Sequence, residues 1–306
     1  MRIAILGAGG VGATVAGALA KQPDIELILI ARGQTKENIQ KNGWILESEQ
    51  LGNQIIQPAL VSDDVQEIGV VDVLLLCCKS FAVQEVCQTY GDVVDAHTLV
   101  IPLQNGFCAA EQAREALQKG QVAHGFIYCL SNIVEKGHVQ NVGKLLRAGF
   151  GFPDGRENET AAKLAQYLQN GGLPTVYTTD ILRLIWEKYM MICGNSCAFL
   201  YYDCTAGGIM AEESRMAFLK GAYEDIARLA NAIGVSLSEG IVDKYLQEFR
   251  ETPPGSMSSL YRDIKAKSPQ NELEQIVGNA VRLGREKGVG LPFVAAAYDK
   301  TIQTML

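Results

Sequence analysis

The sequence predicts an α/β fold: a doubly wound sheet over residues 1–179, followed by an all-helical domain over residues 180–306. Three observations lead there. Short apolar runs alternate with helical stretches through the first half, the pattern of a mostly parallel sheet. The first run, Arg2–Leu6, passes straight into a glycine-rich turn and then an Ala-rich stretch, which reads strand, turn, helix. Beyond Thr178-Thr179-Asp180 only helical patterning remains.

The elements follow in order. After the first strand, Gly7-Ala8-Gly9-Gly10-Val11-Gly12 opens a helix that runs to Ala20. Ile25–Ile30 (IELILI) is the second strand, and Trp44–Ser62 predicts a small hairpin turning near Gly52. Val70–Cys78 is apolar throughout, as a strand buried on both faces requires. Leu99–Leu103 and Val122–Cys129 read the same way, and Gly137–Val142 with Lys144–Phe150 predicts an antiparallel pair turning at Gly143. Asp180 is placed to cap a long helix over 181–201. Further helices are expected at about 211–233, 236–250, 257–267, 270–287 and 292–304, with Pro253-Pro254-Gly255 separating two of them.

Composition narrows the function classes. The net charge of −7 argues against a nucleic-acid surface. No apolar run approaches the ~18 residues of a membrane span, and charge and glycines interrupt the N-terminus too early for a signal peptide. Eight cysteines, several in apolar runs, suit a reduced cytoplasmic protein. Cys193 and Cys197 have helical spacing, but no nearby His completes a zinc set, so no metal site is expected. The chain is expected to be a monomer or a homodimer.

The glycine turn sits where a Rossmann-type dinucleotide site requires it. Gly7 permits the turn, Gly9 lets the backbone approach a pyrophosphate, and Gly12 lets helix and strand pack closely. Ala8, Gly10 and Val11 complete the loop, whose helix offers N–H groups to the phosphates. The second strand ends at Ala31-Arg32-Gly33-Gln34, and no acid lies between Leu27 and Lys36. A carboxylate there would accept from a ribose hydroxyl, whereas a guanidinium suits a 2′-phosphate. The cofactor expected is therefore NADP(H) rather than NAD(H); Arg32 as a solvated loop cation is the alternative.

Lys79 and Asn105 follow strand ends on the side where the nicotinamide would lie; a snorkelling surface lysine and an Asn-Gly turn are the structural alternatives. Lys188 follows Trp186-Glu187 and precedes a segment without charge from Tyr189 to Tyr202. A lysine at the edge of a buried segment is partly desolvated and can donate a proton near neutral pH, as carbonyl reduction demands. An ion pair with a neighbouring acid is the structural alternative. Ser256–Asp263 and Asn271–Glu274 stand out in the last third, where clustered serines also serve as caps.

In this ordered set of motifs the chain resembles the ketopantoate reductases (2-dehydropantoate 2-reductases) over nearly its whole length. The matching positions are Gly7, Gly9 and Gly12, then Arg32, Lys79, Asn105-Gly106 and Trp186-Glu187-Lys188. Ser258-Ser259 with Asp263 match further on, and Asn271-Glu272-Leu273-Glu274 with Gly278 match loosely. The resemblance implies NADPH-dependent reduction of 2-dehydropantoate to pantoate, a step of pantothenate biosynthesis. It implies Lys188 as general acid and Glu272 as a contact to substrate and cofactor. It implies Ser259 at the substrate carboxylate and Asn105 positioning substrate and nicotinamide.

The chain also departs from the family. An Asn usually stands four and eight residues after the lysine, where this chain has Ile192 and Ser196; Pro269-Gln270 reads as a one-residue insertion. Asn195, seven residues on, lies within ~20° of the direction of Lys188 on a helix and is the candidate replacement amide. A reductase for another branched 2-oxo acid, and an NADP-binding sensor without turnover, are the other readings.

Overall fold

The computed structural model describes residues 1–305. They form two compact units: Met1–Gln104 with Cys108–Ile181, and Asn105–Phe107 with the chain from Leu182 onward.

The first unit is the α/β part. Its strands are β1 (Arg2–Leu6), β2 (Glu26–Ile30), β3 (Trp44–Ser48), β4 (Gln54–Ile56), β5 (Leu60–Ser62), β6 (Val73–Leu76), β7 (Leu99–Pro102), β8 (Gln121–Val122), β9 (His124–Glu135), β10 (His138–Gly151) and β11 (Thr175–Tyr177). Its helices are α1 (Gly10–Leu19), α2 (Gly33–Asn42), α3 (Val65–Ile68), α4 (Val83–Thr89), α5 (Ala109–Leu117) and α6 (Glu159–Asn170). Six strands pair in parallel in the order β5-β2-β1-β6-β7-β8. The order reverses between β1 and β6, the switch point at which this sheet type binds ligands. Ile3 and Ile5 of β1 face one apolar core while Ala4 and Leu6 face another, as strand alternation dictates. The doubly wound fold is therefore as the sequence predicts.

A second sheet, ordered β11-β10-β3-β4 with β9 alongside β10, departs in detail from the sequence reading. Trp44–Ser62 does form a hairpin, β3 with β4, but Leu60–Ser62 leaves it to pair with β2. Gly143 is not the turn of a strand pair. The turn is at Gly137 (φ +91°), and Gly143 (φ +74°) lies inside β10 where its register against β9 shifts. Both glycines supply positive φ, and sequence does not say which one reverses the chain. The run Val122–Cys129 likewise splits between the sheets at Ala123. Helix α6, capped by Asn158 accepting from the Ala161 N–H at 2.8 Å, has no counterpart in the sequence reading.

The second unit is helical: α7 (Ile181–Tyr202), α8 (Ala206–Met210), α9 (Glu213–Ala232), α10 (Ile241–Arg250), α11 (Ser259–Lys265), α12 (Asn279–Lys287) and α13 (Pro292–Met305). The expected helix over 270–287 is broken at its start by a π-helical turn, Glu274–Gly278. Such turns insert a residue into the helical ladder and recur at functional sites. Trp186, Tyr189, Cys193 and Cys197 of α7 lie in one core with α9, α12 and α13. Among the described residues no helix is long and apolar enough to cross a membrane.

Candidate active site

Each unit carries one group of chemically significant residues. In the first, β1 ends at Leu6 and the chain turns through Gly7 at φ +120°. A Cβ on Gly7 would lie 2.8 Å from backbone atoms of Cys77 and Cys78, just past β6. A Cβ on Gly12 would lie 2.1 Å from the Gly7 carbonyl oxygen. Both glycines are thus demanded by the chain's own packing. Gly9 is different: a Cβ there meets nothing within 4 Å. Gly9 is the N-cap of α1, no side chain caps the helix, and its first turn holds no acid. Ala8 and Val11 leave the loop partly open, so the space over Gly9 and the unused N–H groups of the first turn fit a pyrophosphate. Gly10 answers to a constraint the motif does not reveal, because a Cβ there would meet Ser131 Oγ of β9 at 1.8 Å.

Arg32 stands exposed after β2 as the N-cap residue of α2. The basic residue behind it is already engaged: Lys36 Nζ donates to Asp63 Oδ1 at 2.5 Å. That hydrogen bond, with a smaller contribution from the Arg32 charge, holds the Asp63 carboxyl below its usual range. Lys79 is exposed and precedes a short 3₁₀ turn, Ser80–Ala82. Gln104 was not singled out by the sequence. Its Nε2 donates to the carbonyls of Leu76 at 2.9 Å and Cys78 at 3.2 Å, tying the ends of β6 and β7 together immediately before Asn105.

In the helical unit, three segments distant in sequence converge. Lys188 is 5% exposed, and its Nζ donates to Asn105 Oδ1 at 3.0 Å. Phe107 anchors the Asn105 segment by stacking on Trp186, with centroids 4.6 Å apart, and by meeting Tyr189 edge-on at 4.9 Å. Gly106, at φ +103°, adopts a turn conformation and lies against the Gln275 carbonyl of the π-helical turn. Tyr189 Oη donates to the Ile276 carbonyl at 2.6 Å, fixing that turn against α7. Glu272, 5% exposed, precedes it, and its carbonyl accepts from the Ile276 N–H at 2.9 Å.

Glu187, between Trp186 and Lys188, clamps α7 to the loop between α9 and α10. It accepts from the Ser238 hydroxyl at 2.6 Å, the Ser238 N–H at 2.9 Å and Arg183 Nη1 at 3.0 Å. Burial pushes its carboxyl up, but the Ser238 and Arg183 hydrogen bonds outweigh that and hold it below its usual value.

Of the clustered serines, Ser258 is the cap of α11, accepting from the Tyr261 N–H at 3.1 Å. Ser259 is the first helical residue and is half-buried. Asn195 is half-buried and its Oδ1 accepts from the Tyr223 hydroxyl. Sequence reasoning missed Phe107, Tyr223 and the Glu187 clamp. Glu187 was legible as the one acid beside the lysine; Tyr223 carried no signal of its own.

Residues 3–151 match the family model for Ketopantoate reductase PanE/ApbA, and residues 180–303 match that for Ketopantoate reductase PanE/ApbA C terminal. The chain belongs to the ketopantoate reductase family. Family membership makes it an oxidoreductase, an NADPH-dependent 2-oxo acid reductase, and the glycine loop fits that cofactor. Among relatives, an uncharacterized oxidoreductase, YkpB, of Bacillus subtilis (strain 168) is 23% identical over 97% of both chains. A 2-dehydropantoate 2-reductase of Halobacterium salinarum is 24% identical over 98% of this chain and 97% of its own. Among solved structures, a PanE/ApbA family ketopantoate reductase from Ralstonia eutropha JMP134 superposes with a TM-score of 0.88 at 26% identity, covering 100% of this chain and 98% of the other.

Proposed function

We propose that this family member reduces 2-dehydropantoate to pantoate, a step of pantothenate synthesis in the cytoplasm, with Lys188 as the general acid. The observation that carries this reading is the buried Lys188 ammonium held by the Asn105 amide oxygen at 3.0 Å. An amide fixes the ammonium in place without taking its proton.

The glycine loop from Gly7 to Gly12 holds the pyrophosphate, Arg32 holds the 2′-phosphate, and Lys79 and Asn105 serve the nicotinamide end. The nicotinamide, when bound, supplies the hydride that adds to C2 of the oxo acid. As negative charge grows on the carbonyl oxygen, Lys188 gives it a proton, leaving the 2-hydroxy acid and a neutral amine that solvent reprotonates. Ser259 donates to the substrate carboxylate. Glu272 contacts substrate and cofactor, and Asn105 positions both. Asn195 supplies the amide that reads the far hydroxyl.

A second reading rests on Ile192, which is half-buried one turn after Lys188 and offers no hydrogen bond. On that reading the preferred substrate is a less polar branched 2-oxo acid. A sensor without turnover has no need of a buried Lys188 and Glu272. Loss of reduced-nicotinamide absorbance with a panel of 2-oxo acids separates the three. Turnover of 2-dehydropantoate supports the first. Turnover of another 2-oxo acid alone supports the second, and cofactor binding without any turnover supports the third.

A further inference from the structure

Tyr223 of α9 is fully buried and packs against the backbone of α7 at Gly194. Gly194 makes that approach possible: a Cβ there would stand 2.3 Å from Tyr223 Cδ1 and 2.6 Å from Cε1. The ring is thereby pinned, and its hydroxyl donates to Asn195 Oδ1 on the next residue of α7. Burial, reinforced by the charge of Glu248, pushes the phenol well above its ordinary range, so it stays protonated at any working pH. A buried phenol with a proton to give needs an acceptor, which forces the carboxamide oxygen of Asn195 toward it. The two N–H groups of Asn195 are left turned away.

Position 195 lies within ~20° of the direction of Lys188, two turns further along the helix, so the carboxamide projects from the same face of α7. Ile192, between them, is half-buried and apolar. Ser196, next to Asn195, is wholly buried. Along this face of α7 the sequence of surfaces is therefore ammonium, hydrocarbon, amide donor. That order matches a 2-oxo acid with an apolar branched carbon followed by a hydroxyl.

We propose that Tyr223 is a specificity-setting positioning residue, which turns the Asn195 carboxamide so that its N–H groups read the hydroxyl of the substrate. This rests on the 2-oxo acid reductase reading above.

The test compares 2-dehydropantoate with 3,3-dimethyl-2-oxobutanoate, which is the same acid without the hydroxyl, on the wild type, Tyr223→Phe, Asn195→Ala and the double variant. Tyr223→Phe is expected to raise the KM ratio of the hydroxylated substrate over the analogue about three- to tenfold, the worth of one hydrogen bond, with kcat little moved. The double variant should be no worse than Asn195→Ala alone, since the two residues act as one device. Equal effects on both substrates, additive losses, or no change in the ratio overturns the proposal. If Tyr223→Phe fails to fold, as a thermal melt would show, Asn195→Ala with the two substrates decides alone by the same ratio. If the wild type turns over neither acid, the 2-dehydropantoate reading fails and takes this inference with it, while reduction of some other 2-oxo acid stays open to the panel above.

Discussion

The glycine loop and the lysine site are built from different materials. The loop is a backbone device made within one short stretch, where Gly7 and Gly12 are forced by the chain's own atoms and Gly9 alone is kept open. The lysine site is a side-chain device drawn from segments far apart, with Asn105 and Lys188 separated by 83 positions. The first is set by local sterics and the second by tertiary packing. They should therefore fail differently: the loop through binding or folding, the lysine site through rate.

Lys188→Ala is the largest expected effect. It should lower kcat by about 10²–10⁴-fold, the usual cost of removing a general acid, and leave the NADPH dissociation constant nearly unchanged. Stopped-flow turnover and a fluorescence titration report the two quantities. An unaltered kcat would make Lys188 a structural lysine and dissolve the contrast.

Two alanine substitutions within the loop sharpen it. Gly12→Ala places a methyl 2.1 Å from the Gly7 carbonyl oxygen and should cost about 1–3 kcal/mol of stability as an overpacked contact. Gly9→Ala meets no protein atom and should melt like the wild type. It should nevertheless bind NADPH about tenfold or more weakly, equivalent to ~1.4 kcal/mol or more, because its methyl enters the space kept for phosphate. If both variants lose stability alike, the open space at Gly9 is not a ligand cradle.

This division also explains what could be read from sequence. The glycine loop, the parallel strands and the long buried α7 were legible because local patterns encode them. Gly143 was misplaced as a turn because two positive-φ glycines, Gly137 and Gly143, look alike until the partner strand is known. Lys188 and Asn105 were each visible as residues, but nothing in the chain tells that the amide oxygen holds the ammonium. Lys36 follows Arg32 closely in sequence, and only the structure shows that Asp63, just past β5, occupies it. Tyr223 was invisible because its role depends on a glycine in a different helix.

Arg32→Ala carries the comparison into the nucleotide site itself. On the proposed reading its guanidinium is a side-chain reader placed beside a backbone cradle. The variant should bind NADPH more weakly by about 1.5–3 kcal/mol, as for a charged hydrogen bond, and bind NADH nearly as before. Calorimetric titration with the two nucleotides measures this directly. Equal losses for both would assign Arg32 to the fold of the loop instead.

The smallest expected effect concerns pH and the helix that carries Lys188. Glu187 fastens α7 through Ser238 and Arg183, and those hydrogen bonds hold its carboxyl below the unfolded value despite burial. A group depressed in the folded state stabilises it above the unfolded pKa, about 4.3 for Glu, and that contribution disappears as pH falls through the folded pKa. Asp225 in the same unit works in the opposite sense. Burial raises its carboxyl more than the N–H groups of Val294 and Phe293 and the nearby Arg228 lower it, so its ionisation opposes folding as pH rises. Glu187→Gln isolates the first term. At neutral pH it should cost about 1 kcal/mol, one hydrogen bond's worth, and the gap to the wild type should close as pH falls below the unfolded value of about 4.3 and through the lower folded one. Urea midpoints at stepped pH measure that gap. A gap that stays constant would mean that Glu187 holds α7 by shape alone, and that the charge beside Lys188 plays no part in seating it.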